Sequence, residues 1–176
     1  MADDSTHHGF PDGVAERNVM GSGGRWNWVS LAVLSVLMLA ALLGVLGGGK
    51  SPPVVAQASE ARVTVVAPRV IRNGEFFEMR IRVEARQPLS KAVVVVPASL
   101  WRDMTINTMI PAPAEEKAGQ GAFRFDYGEL KAGDVLDIKI DGQINPPLFA
   151  GTKGGIALHD GERPLVEIPF DIRVLP

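Results

Sequence analysis

His159 stands directly before Asp160 in "ALHDGE", the one histidine outside the N-terminal tail and the one placed beside a carboxylate. An imidazole held by a carboxylate can act as a general base. Gly161 follows at once, however, and Asp-Gly between two apolar runs is the chemistry of a hairpin turn. No Gly-x-Ser-x-Gly elbow supplies a nucleophile, and no glycine-rich loop before a helix could cradle a phosphate. The chain has no cysteine, which removes disulfides, thiolate metal sites and cysteine nucleophiles together. Copper(I) would need soft ligands, and the candidates are Met79, Met104, Met109 and His159. Met79 falls in an inward-facing stripe. Met104 and Met109 are five apart in one strand-like run and are expected on opposite faces. His7-His8 sit in a polar tail without periodicity, and "DIKIDG" lacks the dense oxygen ligands of a calcium loop. These residues predict no catalytic centre, no metal and no cofactor.

The elements that must carry any site have a period of two. In "FFEMRIRVEA", Phe77, Met79, Ile81, Val83 and Ala85 point one way, and Glu78, Arg80, Arg82 and Glu84 the other. "DVLDIKIDGQI" sets Leu136, Ile138, Ile140 and Ile144 against Asp137, Lys139, Asp141 and Gln143. "LVEIPFDIRV" places Val166, Ile168, Phe170, Ile172 and Val174 inward. "RVTVVA", "AVVVVP", "DMTINTMI", "AFRFDY" and "GIALH" supply shorter strands, and Asn73-Gly74, Lys131-Ala132-Gly133 and Asp160-Gly161 the turns. About eight strands in roughly 115 residues predict an all-β antiparallel sandwich over 60–176. Val93 to Val96 is apolar on both faces and reads as a central strand; Pro169 suggests an edge for the last one.

"VVAPRVIRNGEFFEMRIRVE" followed by "FRFDYGELKAGDVLDIKIDGQI" resembles the bacterial extracytoplasmic immunoglobulin-like modules of the CARDB or conserved-repeat kind. Gly74 before a long strand, the aromatic-rich run Phe123 to Tyr127 and the Leu130 to Gly133 turn carry the resemblance, over about 70 residues. It implies an immunoglobulin-like architecture and no particular activity. The stretch "NPPLFAGTKGG", 145–155, departs from it as an expected insertion.

Ahead of the sandwich stands "WNWVSLAVLSVLMLAALLGVL", twenty-one residues without a charge. As a helix it would rise about 31 Å, close to the hydrocarbon thickness of a bilayer. Its eleven Leu and Val residues favour insertion by roughly 3–7 kcal/mol, and Trp26 and Trp28 suit the headgroup level. Residues 26–46 are therefore expected to form a single transmembrane helix, preceded by a disordered cytoplasmic tail, 1–25, and followed by a Gly/Pro linker, 47–59. Arg17 and Arg25 before the helix, against Lys50 after it, keep the N-terminus cytoplasmic and put the C-terminal domain outside the cell membrane. Ala56-Gln57-Ala58 before Ser59 has the small-x-small form of a signal-peptidase site. The apolar run is longer than a signal h-region and its preceding tail is acidic, so an uncleaved anchor is expected.

The net charge is −2, and after Ala58 about fifteen Lys and Arg face about sixteen Asp and Glu, singly interspersed. Nucleic acid, which demands clustered positive charge, is excluded as a partner. What remains is surface recognition. "PASLWRDMTINTMIPAPAEEKAGQG" holds Leu100, Trp101, Met104, Met109 and Ile110, and "NPPLFAGTKGG" offers Leu148 and Phe149, large apolar residues in loop-like sequence; Leu100, Trp101, Leu148 and Phe149 are the candidate contacts for a partner. The sequence is read as a single-pass, membrane-anchored accessory protein whose partners are the lipid bilayer and another membrane or envelope protein. The alternative is an extracytoplasmic ligand- or polysaccharide-binding module.

Overall fold

Leu, Val and Ala with no charged residue make a helix of Trp28–Leu42, α1, in the computed structural model, which describes residues 28–45, 51–148 and 150–176. Fifteen residues rise about 22 Å, and among the described residues no helix is long and apolar enough to cross a membrane. Apolar side chains stand on every face of α1 and none of its residues is buried. Trp28 opens the helix with its ring exposed. The expected tail, Trp26, Asn27, Leu46, residues 47–50 of the expected linker, and Phe149 lie outside the described residues.

Among the described residues the β-rich region holds eleven strands where the period of two predicted about eight: β1 Val54–Gln57, β2 Ala61–Val66, β3 Val70–Arg72, β4 Phe76–Ala85, β5 Ala92–Pro97, β6 Met104–Ile110, β7 Glu115–Gly119, β8 Ala122–Asp126, β9 Val135–Ile144, β10 Thr152–Asp160 and β11 Arg163–Leu175. They form a five-stranded sheet, β1-β2-β4-β9-β6, and a six-stranded sheet, β3-β11-β10-β5-β8-β7. The inward residues of both belong to one hydrophobic core, with Met79, Ile81, Ile138 and Ile140 from the first sheet and Ile156, Leu158 and Ile168 from the second. Each such side chain contributes about 1.5–3 kcal/mol of burial. The alternating stripes of β4, β9 and β11 face this core as their sequences predict.

Four expectations are corrected. The linker is not a linker to its end: Val54–Gln57 pairs antiparallel with β2, and Val54 and Ala56 pack on the core. The sandwich is not wholly antiparallel, because β3 runs parallel to β11, with Val70 opposite Arg173. The expected insertion 145–155 is not all insertion: its last four residues, Thr152 to Gly155, open β10. Pro169 does not mark an edge strand, since β11 lies between β10 and β3; β3 reaches only Arg173–Leu175, so on that side β11 is uncovered at Pro169.

Candidate functional site

Both sheets end on the same side of the sandwich, one in β6 and the other in β8 and β7. Between these edges lies a cleft of about 340 Å³ lined by Trp101, Met104, Ile106, Met109, Phe123 and Phe125, with Asn107, Thr108 and Glu116 also on its lining. Its shape originates in β6. Met104 pairs with Ile144 and Ile106 with Gly142, but Thr108 pairs with Asp141, so Asn107 is an extra residue, a β-bulge. The two residues in succession that turn outward are Asn107 and Thr108, and Met109 turns back inward. Met104, Ile106 and Met109 therefore share the inner face, which corrects the expectation that the two methionines oppose each other.

The aromatic wall is built from the turn before β6 and from β8. Leu100 N–H donates to the Pro97 carbonyl at 3.0 Å and Met104 N–H to that of Trp101 at 3.3 Å, closing two successive turns. These bring the Trp101 ring to 5.5 Å from that of Phe125 and 5.7 Å from that of Phe123, both tilted. Such tilted pairs add about 0.5–1.5 kcal/mol beyond their burial. The indole Nε1 of Trp101 is buried without a hydrogen-bond partner among the described residues. Tyr127 donates its hydroxyl to Met109 Sδ at 3.0 Å, and burial, with the charge of Glu116 adding, pushes its phenol far up, so that it stays a donor. Two thioethers and three aromatic rings make a soft, polarizable surface of the kind that re-packs around varied apolar side chains. Glu116 is the one charged residue on the lining.

The residues expected as partner contacts are distributed differently. Leu100 is 0% and Leu148 1% exposed, so neither can act as a surface anchor: both close the ends of the core. Trp101, at 8% exposed, is mostly core but forms part of the cleft wall. Phe149 lies outside the described residues. Sequence reasoning had Trp101, Met104 and Met109 among the apolar residues open to a partner but missed Ile106, Phe123 and Phe125, and did not bring them together as one surface. The signal was present: in "MTINTMI" the alternation Met104-x-Ile106 is broken by two polar residues before Met109, which is how a bulge reads in a strand.

The His159–Asp160 pair is not assembled as a dyad. Asp160 Oδ1 accepts hydrogen bonds from Ser90 Oγ at 2.8 Å and from Lys91 N–H at 2.9 Å, and its Oδ2 lies 3.6 Å from Arg163. The Ser90 and Lys91 donors hold its carboxyl below the usual range. Here the carboxylate ties the start of β5 to the β10–β11 hairpin, and His159 Nδ1 is buried without a partner among the described residues. On the outer face of the five-stranded sheet, Glu78 meets Arg80 and Lys139, and Asp141 meets Lys139 and the hydroxyl of Thr108. These are the solvated carboxylates expected from the alternation. Among the described residues no group of three His, Asp or Glu could hold a metal ion.

No family model matches this chain, and no curated protein does. Among solved structures, a non-cellulosomal cohesin from the hyperthermophilic archaeon Archaeoglobus fulgidus is similar at a TM-score of 0.39 and 9% identity, over 73% of this chain and 93% of that one.

Proposed function

We propose that this chain is a membrane-anchored accessory protein whose immunoglobulin-like sandwich offers the Trp101–Met109 cleft to an apolar segment of another envelope protein. The observation that carries the reading is the cleft itself: a thioether- and aromatic-lined opening beside β6, whose outer edge is unpaired in the sheet order. An extended partner segment can add its backbone to such an edge while its side chains enter the adjoining pocket. The anchor reading is supported by α1, whose uncharged surface is apolar all round with no residue buried. Residues on either side of α1 would complete the span; Trp26 and Trp28 would then stand at the headgroup level, with the sandwich outside the cytoplasm.

The test is site-specific photo-crosslinking in intact cells. A benzophenone side chain in place of Asn107, on the cleft lining, is expected to yield one discrete membrane-fraction adduct. The same probe in place of Asp137, on the solvated outer face, yields none, and Met104→Glu abolishes the Asn107 adduct. Equal labelling from both positions, or an adduct indifferent to Met104→Glu, would sink the assignment of the cleft. Recovery of a soluble chain whose intact mass begins at Ser59 would sink the anchor.

A further inference from the structure

Among the described residues four strands end the two sheets, β1 and β6 on the first and β3 and β7 on the second. Brevity, proline and charge are devices that keep such an edge from pairing with another chain. β1 has four residues behind Pro52-Pro53, β3 has three, and β7 carries Glu115, Glu116 and Lys117. β6 runs for seven residues with neither a charge nor a proline, and its last residue, Ile110, is an exposed apolar side chain. The Asn107 bulge interrupts this edge without charging it. The apolar layer behind it is also incomplete. Met104, Ile106, Met109 and Phe123 pack on the core but stay half-buried, whereas Ile138 and Ile140 of the adjoining β9 are fully buried.

The charge at this opening is placed by the β7–β8 register. Glu115 stands opposite Asp126 and Lys117 opposite Arg124, on the outer face of the sheet. Their charges are engaged there: Glu115 with Lys91 and Lys117, Asp126 with Lys91, and Arg124 with Glu162. Glu116 stands opposite Phe125, a core residue, so its side chain falls on the inner face and lines the cleft. Of the charged residues on the two strands, it alone forms no ion pair among the described residues. A carboxylate at the mouth of an apolar opening is thus left to a cation from outside.

We infer that the segment taken up by this cleft is extended, apolar and cationic. One apolar side chain enters the pocket between Trp101 and Met109, and a Lys or Arg on the same face of the segment pairs with Glu116. The inference rests on the docking role proposed above and adds the partner's charge to it. Successive side chains of an extended segment point to opposite faces, so the cation stands two or four residues from the apolar anchor. Other occupants fit the charge less well. A second copy offering its own β6 brings no Lys or Arg between Met104 and Ile110, and leaves both Glu116 carboxylates unpaired. An acyl chain of an anionic phospholipid would bring a phosphate toward a carboxylate.

The test quantifies the adduct formed in intact cells by a benzophenone side chain in place of Asn107, and sequences the crosslinked partner peptide by mass spectrometry. That peptide is expected to carry a Lys or Arg two or four residues from an apolar residue at the crosslink. Glu116→Gln is expected to lower the adduct yield about threefold and Glu116→Lys about tenfold. Glu129→Lys, the same reversal at an exposed position off the cleft lining, leaves it within about twofold. Reversing the peptide's own cation to Glu lowers the yield as Glu116→Lys does, and the two reversals together restore it. If Glu116→Lys fails to fold by near-UV circular dichroism, Glu116→Gln, which keeps the shape of the side chain, decides. Absence of any Asn107 adduct overturns the docking role and this inference with it. An adduct indifferent to both Glu116 variants overturns the inference alone, and self-association of Glu116→Gln would then assign the carboxylate to guarding the β7 edge. A partner peptide without Lys or Arg, or an adduct with a second copy of this chain or with lipid, overturns it as well.

Discussion

The ring of Phe77 lies directly over the α-carbon of Gly142 on the neighbouring strand. The two are partners in the β4–β9 register, and a Cβ at 142 would stand 2.6 Å from Phe77 Cζ, 2.9 Å from its Cε1 and 3.0 Å from the Thr105 carbonyl oxygen. Gly142 is also the residue opposite Ile106, where the β6 bulge begins. One missing side chain therefore seats an aromatic ring on one side and admits an irregular strand on the other. Gly142→Ala is expected to destabilise the sandwich by about 1–3 kcal/mol through overpacking. Phe77→Leu, which withdraws the far end of the ring, should recover part of that loss in the double variant. Urea denaturation of the two single variants and the double one measures the coupling; additive losses would mean that the contact with Thr105 and not the ring sets the cost.

The bulge makes its own prediction. Deleting Asn107 leaves Met104, Thr105, Ile106, Thr108, Met109 and Ile110 in strict alternation, with both methionines and Ile106 still inward. The deletion is therefore expected to fold with a melting temperature within a few degrees of the original. It straightens the edge beside the cleft and removes one lining residue, so a benzophenone in place of Glu116, also on the cleft lining, should lose in the deletion variant the adduct it gives in the otherwise unaltered chain, while stability is kept. A deletion variant that does not fold would show that the bulge is a requirement of the β6–β9 register and not a feature of the site.

The strands that bury one face were legible because burial writes an alternation into the sequence, as Phe77 to Ala85 and Leu136 to Ile144 show. The strands that were not legible lack that signal for identifiable reasons. β7, Glu115–Gly119, is exposed at every position, so nothing in it alternates; its hairpin is signalled only by Gln120 and Gly121, both at positive φ. β3 is three residues long, and β1 hides behind Pro52-Pro53 in sequence that reads as a spacer. The cleft was illegible for a different reason. It is made by the meeting of two sheet edges, and Trp101, Met109 and Phe123 come together only through the order in which the strands are laid down.

β1 ties the question of cleavage to stability. Ala56 and Gln57 pair with Val63 and Arg62, and Ala58 N–H donates to the Ala61 carbonyl at 2.8 Å, so the small-x-small triplet lies within a closed hairpin. A chain beginning at Ser59 loses the core contacts of Val54 and Ala56 and leaves β2 as a bare edge. Compared with the full chain in the same detergent, it is expected to melt about 5–10 °C lower and to self-associate with rising concentration. Analytical ultracentrifugation with a thermal melt checks both. Equal stability and a monomeric shortened chain would mean that β1 is dispensable, and the folded domain would then be indifferent to the cut.

His159 gives the sandwich a pH dependence whose direction is fixed by its surroundings. Burial, with the positive charge of Arg124 adding, holds the imidazole below its ordinary value, and Glu162 and Glu167 only partly offset this. The unfolded chain takes up the proton near the ordinary value of about 6.5, whereas the folded chain resists it until lower pH. Between those two values the unfolded state binds more protons, so stability rises with pH and is lost as pH falls below about 6.5. The carboxyl of Asp160, held low by Ser90 and Lys91, loses its own contribution only in a more acidic window, below its ordinary value of about 3.9. Urea melts at pH 7.5, 6.5 and 5.5 are therefore expected to show falling stability in the unaltered chain and a flatter profile in His159→Gln. A parallel fall in both would assign the loss to other groups and leave His159 without a measurable linkage.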